Sequence, residues 1–294
     1  MPSFGVIKTL VRETLTRERS PRVNEPDLVM DDPDKVAAYT RAGREDGVMA
    51  PVYLFHAAQI CDVVQPGDTV IDLGCGPATQ LAMVARLNPD TRFIGLDLSG
   101  EMLERARAHI EELGLENVEF RQADITDLSL FDDASVDAVM STMVLHHLPD
   151  VDALEKTFAE VSRVTRPEGG IYLVDFGHLK SENSIRYFAY QYADRQPELF
   201  TLDYLYSLRA AFRKEDFQRL TEHYLTDKAK CYSTFMIPFM VAIKSSSRSG
   251  DARGARDQIF RLKEALPRYH KNDLSDLKTF FSLGGLKSPL LEGR

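Results

Sequence analysis

Five short apolar runs, at 69–73, 92–96, 117–121, 136–141 and 171–175, punctuate residues 66–176, and segments with helical spacing separate several of them. This alternation constrains the fold more than any other feature of the chain. Short apolar runs without polar alternation suit strands buried on both faces. Strands joined through helices need crossover connections, so they lie mostly parallel in one sheet with helices on both sides. The clearest connecting helix is LSGEMLERARAHIEELG. Ser99 can cap it, Met102, Leu103, Ala106, Ile110 and Leu113 form one apolar face, and Gly114 closes it. EVSRVTRPEGGIYLVDF then predicts a helix end, a turn and a final parallel strand.

After residue 176 the rhythm changes. Residues 181–225 read as helical and are rich in aromatic side chains, including Tyr187, Phe188, Tyr190, Tyr192, Phe200 and Tyr204. KAKCYSTFMIPFMVAIKS predicts two strands joined across Ile237-Pro238, an antiparallel hairpin at the sheet edge. A polar break, SSSRSGDARGAR, precedes a C-terminal helical extension over 247–294. At the other end, Phe4, Ile7, Leu10, Val11 and Leu15 fall at helical spacing, which predicts an amphipathic helix packed on the domain through that face. The net charge of −9 argues against a nucleic-acid partner. Cys61, Cys75 and Cys231 are too few for a disulfide framework and fit a reducing compartment, the cytoplasm. No apolar stretch nears the ~20 residues of a membrane span.

The first run ends in VIDLGCGPATQ, where a strand meets a helix through Gly74-Cys75-Gly76. Glycines there let a ligand approach the backbone at the carboxyl edge of a parallel sheet, where open α/β folds bind nucleotides. A dinucleotide fingerprint needs a third glycine, and Thr79 stands in its place. FIGLDLS ends at Asp97, twenty-one residues beyond Gly76, where an acid can accept both ribose hydroxyls. Asp72, two residues before Gly74, suits a positively charged ligand better than a pyrophosphate. FRQADITD places Asp124 at the third strand tip, either to accept a base amine or to serve as a turn acid.

Together with VDAVMSTMVLHHLPD, these stretches resemble the class I S-adenosylmethionine-dependent methyltransferases, and within them the branch that contains ubiquinone/menaquinone-biosynthesis and small-molecule enzymes. The likeness runs from about 66 to 180 and, through AAFRKEDFQRL and the last strands, to about 245. It implies a Rossmann-like, doubly wound, seven-stranded α/β sheet with an N-terminal helical lid (1–60), a catalytic domain (61–246) and a substrate-covering insertion (181–225). S-adenosyl-L-methionine would be the cofactor. Asp72 would face its ammonium, Gly74, Cys75 and Gly76 would give it backbone room, and Asp97 would hold the ribose. Leu98 and Met102 would flank the adenine, with Asp124 and Ile125 on its amine. Ser141, Thr142 and Met143 would border the sulfonium, and Tyr39 in the lid would touch the methionine end. Ala78 departs from a position where glycine is frequent.

Methyl transfer from a sulfonium needs alignment and exclusion of water, with a general base only where the acceptor must lose a proton. His146, His147 and His178 are the candidates for that base, each with a structural alternative as a satisfied buried or loop histidine. Neighbouring side chains diverge, which argues against a metal held by His146 and His147. Tyr187, Tyr190 and Tyr192 are candidates for the substrate pocket or for core packing beneath a helical flap, and Tyr53 and His56, in a stretch that resembles a helical lid, are candidates for its substrate side. The expected function is methylation of a small organic molecule in metabolite or natural-product biosynthesis. A nicotinamide-dependent oxidoreductase and an inert scaffold subunit are the competing readings. Oligomeric state stays open, a homodimer included.

Overall fold

The computed structural model describes residues 4–17, 19–26, 47–248 and 253–292. Seven strands form one sheet: β1 (Thr69–Leu73), β2 (Arg92–Asp97), β3 (Val118–Gln122), β4 (Val136–Thr142), β5 (Thr165–Phe176), β6 (Ala229–Ser233) and β7 (Met240–Ser245). Their spatial order is β3-β2-β1-β4-β5-β7-β6. The first five pair in parallel, and β7 runs antiparallel between β5 and β6. The order reverses between β1 and β4, which opens a crevice at their carboxyl ends.

Among the described residues the α-helices are α1 (Phe4–Leu15), α2 (Ala50–Cys61), α3 (Thr79–Leu87), α4 (Gly100–Glu112), α5 (Val151–Val164), α6 (Glu182–Tyr190), α7 (Glu198–Ala210), α8 (Lys214–Tyr224), α9 (Arg253–Ala265) and α10 (Arg268–Leu283). As anticipated, Ser99 caps α4, its Oγ accepting the Met102 N–H at 3.1 Å. Alternate residues of β1 serve opposite layers. Val70 joins α2, α3 and the C-terminal helices, whereas Ile71 joins Phe158 and Val161 of α5 and Phe217 and Leu220 of α8.

Three expectations change. The boundary expected at residue 60 falls inside α2, the most deeply buried helix, whose Phe55 stacks on Phe281 of α10 at 5.2 Å. α2 is apolar all round, so it must be covered on every side, and the C-terminal helices supply part of that cover. The lid residues 27–46, with Tyr39, lie outside the described residues. Second, β5 begins at Thr165, and the expected turn is a bulge within the strand, where the register to β4 slips between Val136 and Ala138. Third, α1 docks by its other face. Thr9 and Glu13 are buried, while Ile7, Val11 and Leu15 are exposed. Glu13 fixes this orientation by accepting the Lys180 and Ser181 N–H groups ahead of α6. Among the described residues, no helix is long and apolar enough to cross a membrane.

Candidate active site

A cavity of about 810 Å³ opens at the carboxyl ends of β1, β2 and β4. Asp72, Asp97 and Asp124 all line it, from three successive strand tips. Between them the chain turns through Gly74 at φ +68° and Gly76 at φ +51°. At Gly74 a β-carbon would collide with the Val144 methyls, whereas beside Gly76 there is open space. The turn ends at Ala78, which holds φ +61° as it enters α3. Glycine adopts that region freely, so alanine carries a local strain of about 1 kcal/mol there.

Asp97 ties two segments together. One oxygen accepts the Gly76 N–H at 2.8 Å, the other the Ser99 N–H at 2.9 Å. Asp72 has no such support: it is buried, and burial plus the nearby Asp97 charge push its carboxyl up to about 8. Gln80 Oε1 and Thr142 Oγ1, also on the cavity, are buried without a hydrogen-bond partner. One cationic, donor-rich group would satisfy all three. Asp124 turns one oxygen to the Thr126 N–H and hydroxyl, both at 2.8 Å, so it is a turn acid at the same time as it lines the cavity. Cys75, Leu98, Met102, Ile125, Thr142 and Met143 share the lining.

Ser141 does not. It lies within the sheet, and its hydroxyl donates to the Leu73 carbonyl at 2.9 Å, because β4 side chains alternate and only its last residues emerge at the crevice.

Beyond Thr142 the chain takes a single 3₁₀ turn, Leu145–His147. This tight turn brings the two imidazoles together, with ring centroids 4.3 Å apart, instead of letting them diverge. His146 is buried, and both Asp175 oxygens hold it, one at its Nδ1 (2.7 Å) and one at its backbone N–H (2.9 Å). Burial alone would lower the imidazole pKa, but Asp175, Glu25 and Asp203 outweigh it and raise the value. His147 Nδ1 lies 2.5 Å from Glu25 Oε2, and His146 Nε2 lies 3.7 Å from Glu25 Oε1. Burial opposes the Glu25 charge, yet the His147 contact prevails and holds the carboxyl near about 2.

Arg22 delivers Glu25. Its guanidinium donates to the carbonyls of His146 (3.0 Å), Leu148 (2.6 Å), Pro149 (2.7 Å) and Ala210 (2.6 Å) and stacks over Phe212 at 4.0 Å. Neither Arg22 nor Glu25 belongs to any sequence pattern, so they escaped the sequence reading. Asp175 carried a readable signal, since an acid inside the buried run IYLVDF must have a partner.

The far end of the cavity is aromatic. Phe188 stacks on Phe239 at 4.1 Å, Phe176 meets Tyr204 at 5.3 Å, and the Tyr192 hydroxyl donates to Asp273 of α10 at 3.0 Å. Tyr53 and Tyr192 line this space. The other candidates do not. His56 is fully buried among Phe55, Phe281 and Tyr172, its Nδ1 hydrogen-bonded with the Tyr172 hydroxyl at 2.7 Å, and burial lowers its pKa to about 3. His178 is buried too, its Nε2 2.8 Å from the Ser20 carbonyl. Tyr187 packs against Gly5 of α1, and Tyr190 is exposed beneath the Arg186 guanidinium. On α6 these two tyrosines occupy the face turned from the cavity, which Phe188 takes instead.

Residues 65–198 match a family model described as a methyltransferase domain. Over 147 residues the chain is 35% identical to a trans-aconitate 2-methyltransferase from Azoarcus sp., covering 50% of this chain and 49% of that protein. Over 111 residues it is 36% identical to an arsenite methyltransferase from Halobacterium salinarum, covering 37% and 27% respectively. The match thus spans half or less of these relatives' own length. A SAM-dependent methyltransferase from Aquifex aeolicus has the same fold, with a TM-score of 0.51 at 17% identity over 73% of this chain and 97% of that one.

Proposed function

We propose that this chain is a class I S-adenosylmethionine-dependent methyltransferase that methylates a small organic acceptor held in the same cavity as the methyl donor, a reading supported by the match of residues 65–198 to a methyltransferase-domain model. One observation carries this reading. A cavity of about 810 Å³ joins a polar lobe lined by three acids to an aromatic lobe walled by Phe176, Phe188, Phe239 and Tyr204. That size and mixture suit small molecules.

The residues of the polar lobe fit the donor. Asp72, buried and without a counter-charge among the described residues, is the acceptor for an ammonium, supported by Gln80 Oε1 and Thr142 Oγ1. Asp97 has each oxygen anchored by one backbone N–H and directs its remaining lone pairs to ribose hydroxyls. When bound, the donor supplies a methyl already activated by the sulfonium charge. What remains for the chain is to hold an acceptor in line, keep water out and take up a proton where the acceptor carries one. The aromatic walls and Tyr192 do the first two. His146 and His147 stand at the junction of the lobes, where a proton would be lost. Both relatives quoted above are named for small acceptors, trans-aconitate and arsenite, in line with this scale of substrate.

Calorimetric titration of the full chain with S-adenosylhomocysteine and, separately, with NAD tests the proposal. One equivalent of the first and none of the second is expected. Binding of NAD alone would replace this reading with an oxidoreductase, and donor binding without transfer to a broad panel of small acceptors would leave a scaffold.

A further inference from the structure

We infer that Glu25, His146 and His147 form a binding site for one divalent transition-metal ion, placed to take an oxygen-bearing acceptor at its open positions. The three side chains each offer one ligand atom, and these atoms all lie within 4.8 Å of one another. Two imidazole nitrogens and a carboxylate on one side of an ion are a donor set for iron, zinc, manganese or cobalt that leaves coordination positions open.

The spacing suits an ion. Donors about 2.0–2.2 Å from a shared metal stand roughly 3.0–3.5 Å apart. Glu25 bridges two separations on either side of that range, 2.5 Å to His147 and 3.7 Å to His146. A small shift of one carboxylate, away from His147 and towards His146, lengthens the first and shortens the second.

The surroundings do what metal sites require. The Asp175 hydrogen bond at His146 Nδ1 fixes the tautomer that leaves Nε2 with its lone pair towards Glu25, the carboxylate–histidine arrangement that orients metal ligands. Ser207 steadies Glu25 from the other side, its Oγ donating to Oε1 at 2.8 Å. Arg22 clamps the carbonyls flanking the turn that carries both histidines. Charge favours a cation as well. Glu25, Asp175 and Asp203 all act on His146, and the guanidinium of Arg22 is engaged by carbonyl oxygens. His146, His147 and Ser207 line the cavity, so positions left open by the protein face the space assigned to the acceptor.

The acceptor-binding part of this inference rests on the methyltransfer reading; metal binding itself does not. The full chain, stripped with chelator, should take up one equivalent of Co(II) with visible d–d absorption, and Zn(II) should displace it. Loss of a ligand in Glu25→Gln or His147→Gln should weaken Co(II) more than the roughly 10–100-fold expected for an outer-shell partner such as Ser207→Ala. S-adenosylhomocysteine titrated into each variant reports whether the neighbouring lobe is still folded. Less than a tenth of an equivalent of Co(II) on wild-type protein overturns the site, as does Co(II) affinity unchanged in both ligand variants. Metal uptake without S-adenosylhomocysteine binding would uphold the metal site and reject the methyl donor.

Discussion

The Asp97 carboxylate accepts the Gly76 N–H across 2.8 Å, so the tip of β2 holds the glycine turn that follows β1. One acid thereby shapes the loop and, in the proposed donor site, would present its spare lone pairs to the ribose. Asp97→Ala removes both functions, and Asp97→Asn keeps an acceptor oxygen with less charge. Hydrogen bonds to charged groups contribute about 1.5–3 kcal/mol each. S-adenosylhomocysteine affinity should therefore fall at least tenfold to a hundredfold in Asp97→Ala and less in Asp97→Asn. Equal affinities by calorimetry would show that the ribose is held elsewhere.

In the proposed donor site, Asp72 should make donor binding depend on pH. Its folded-state value of about 8 lies above the ordinary 3.8, so the ligand-free protein keeps the proton that an ammonium would displace. From pH 7.5 down to 6.0, affinity for S-adenosylhomocysteine should fall by about tenfold per unit, and Asp72→Asn should be weaker and flat over that window. Stability runs the other way. A raised carboxyl value means stability is fully present below pH 3.8 and is lost as pH rises towards 8. Ligand-free Asp72→Asn should accordingly melt higher than wild type at pH 8, with the gap closing towards pH 4.

Ala78 holds a left-handed backbone conformation at φ +61° with its methyl buried. Ala78→Gly should relieve that strain and raise stability by about 0.5–1 kcal/mol despite the larger unfolded-state entropy of glycine. Denaturant midpoints measure it, and a loss of stability would mean the methyl packing outweighs the strain.

His56 sets an acid limit on the fold. Buried at about 3 against an ordinary 6.5, it stays neutral while the unfolded chain takes up a proton. Stability should thus decline by up to about 1.4 kcal/mol per unit as pH falls from 6.5 towards 3. The double variant His56→Leu/Tyr172→Phe removes both partners of the 2.7 Å bond and leaves no orphaned polar atom. It should unfold at a lower pH than wild type. An unchanged acid midpoint would assign the acid sensitivity to other groups.

The sheet and the polar lobe were legible because their signals are local. Apolar runs, a glycine turn and acids at strand tips lie within a few residues of one another, and the crossover rule orders the strands. His56 was misread for a reason visible in hindsight. APVYLFHAAQIC has no polar face, so every position on that helix except the half-buried Val52 is buried, histidine included. The apolar stripe of α1 predicts docking through that face, yet with Glu13 bonded to the start of α6, Leu10 of the stripe packs on the core while Ile7, Val11 and Leu15 face outwards. Glu25 was beyond reach of any local pattern. It meets His147 only because Arg22, three residues earlier, fastens to the turn after β4 and to the end of α7.

That fastening joins parts of the chain made far apart. Arg22 is synthesised 188 residues ahead of Ala210, whose carbonyl it grips, and also well before Phe212, on which it stacks. The sheet from β1 to β5 is built from pairings among residues 69–176, whereas this strap needs α7 as well. The segment that carries Arg22 and Glu25 is thus held by contacts far away in the chain, and the histidine turn has its carboxylate only where those contacts are made.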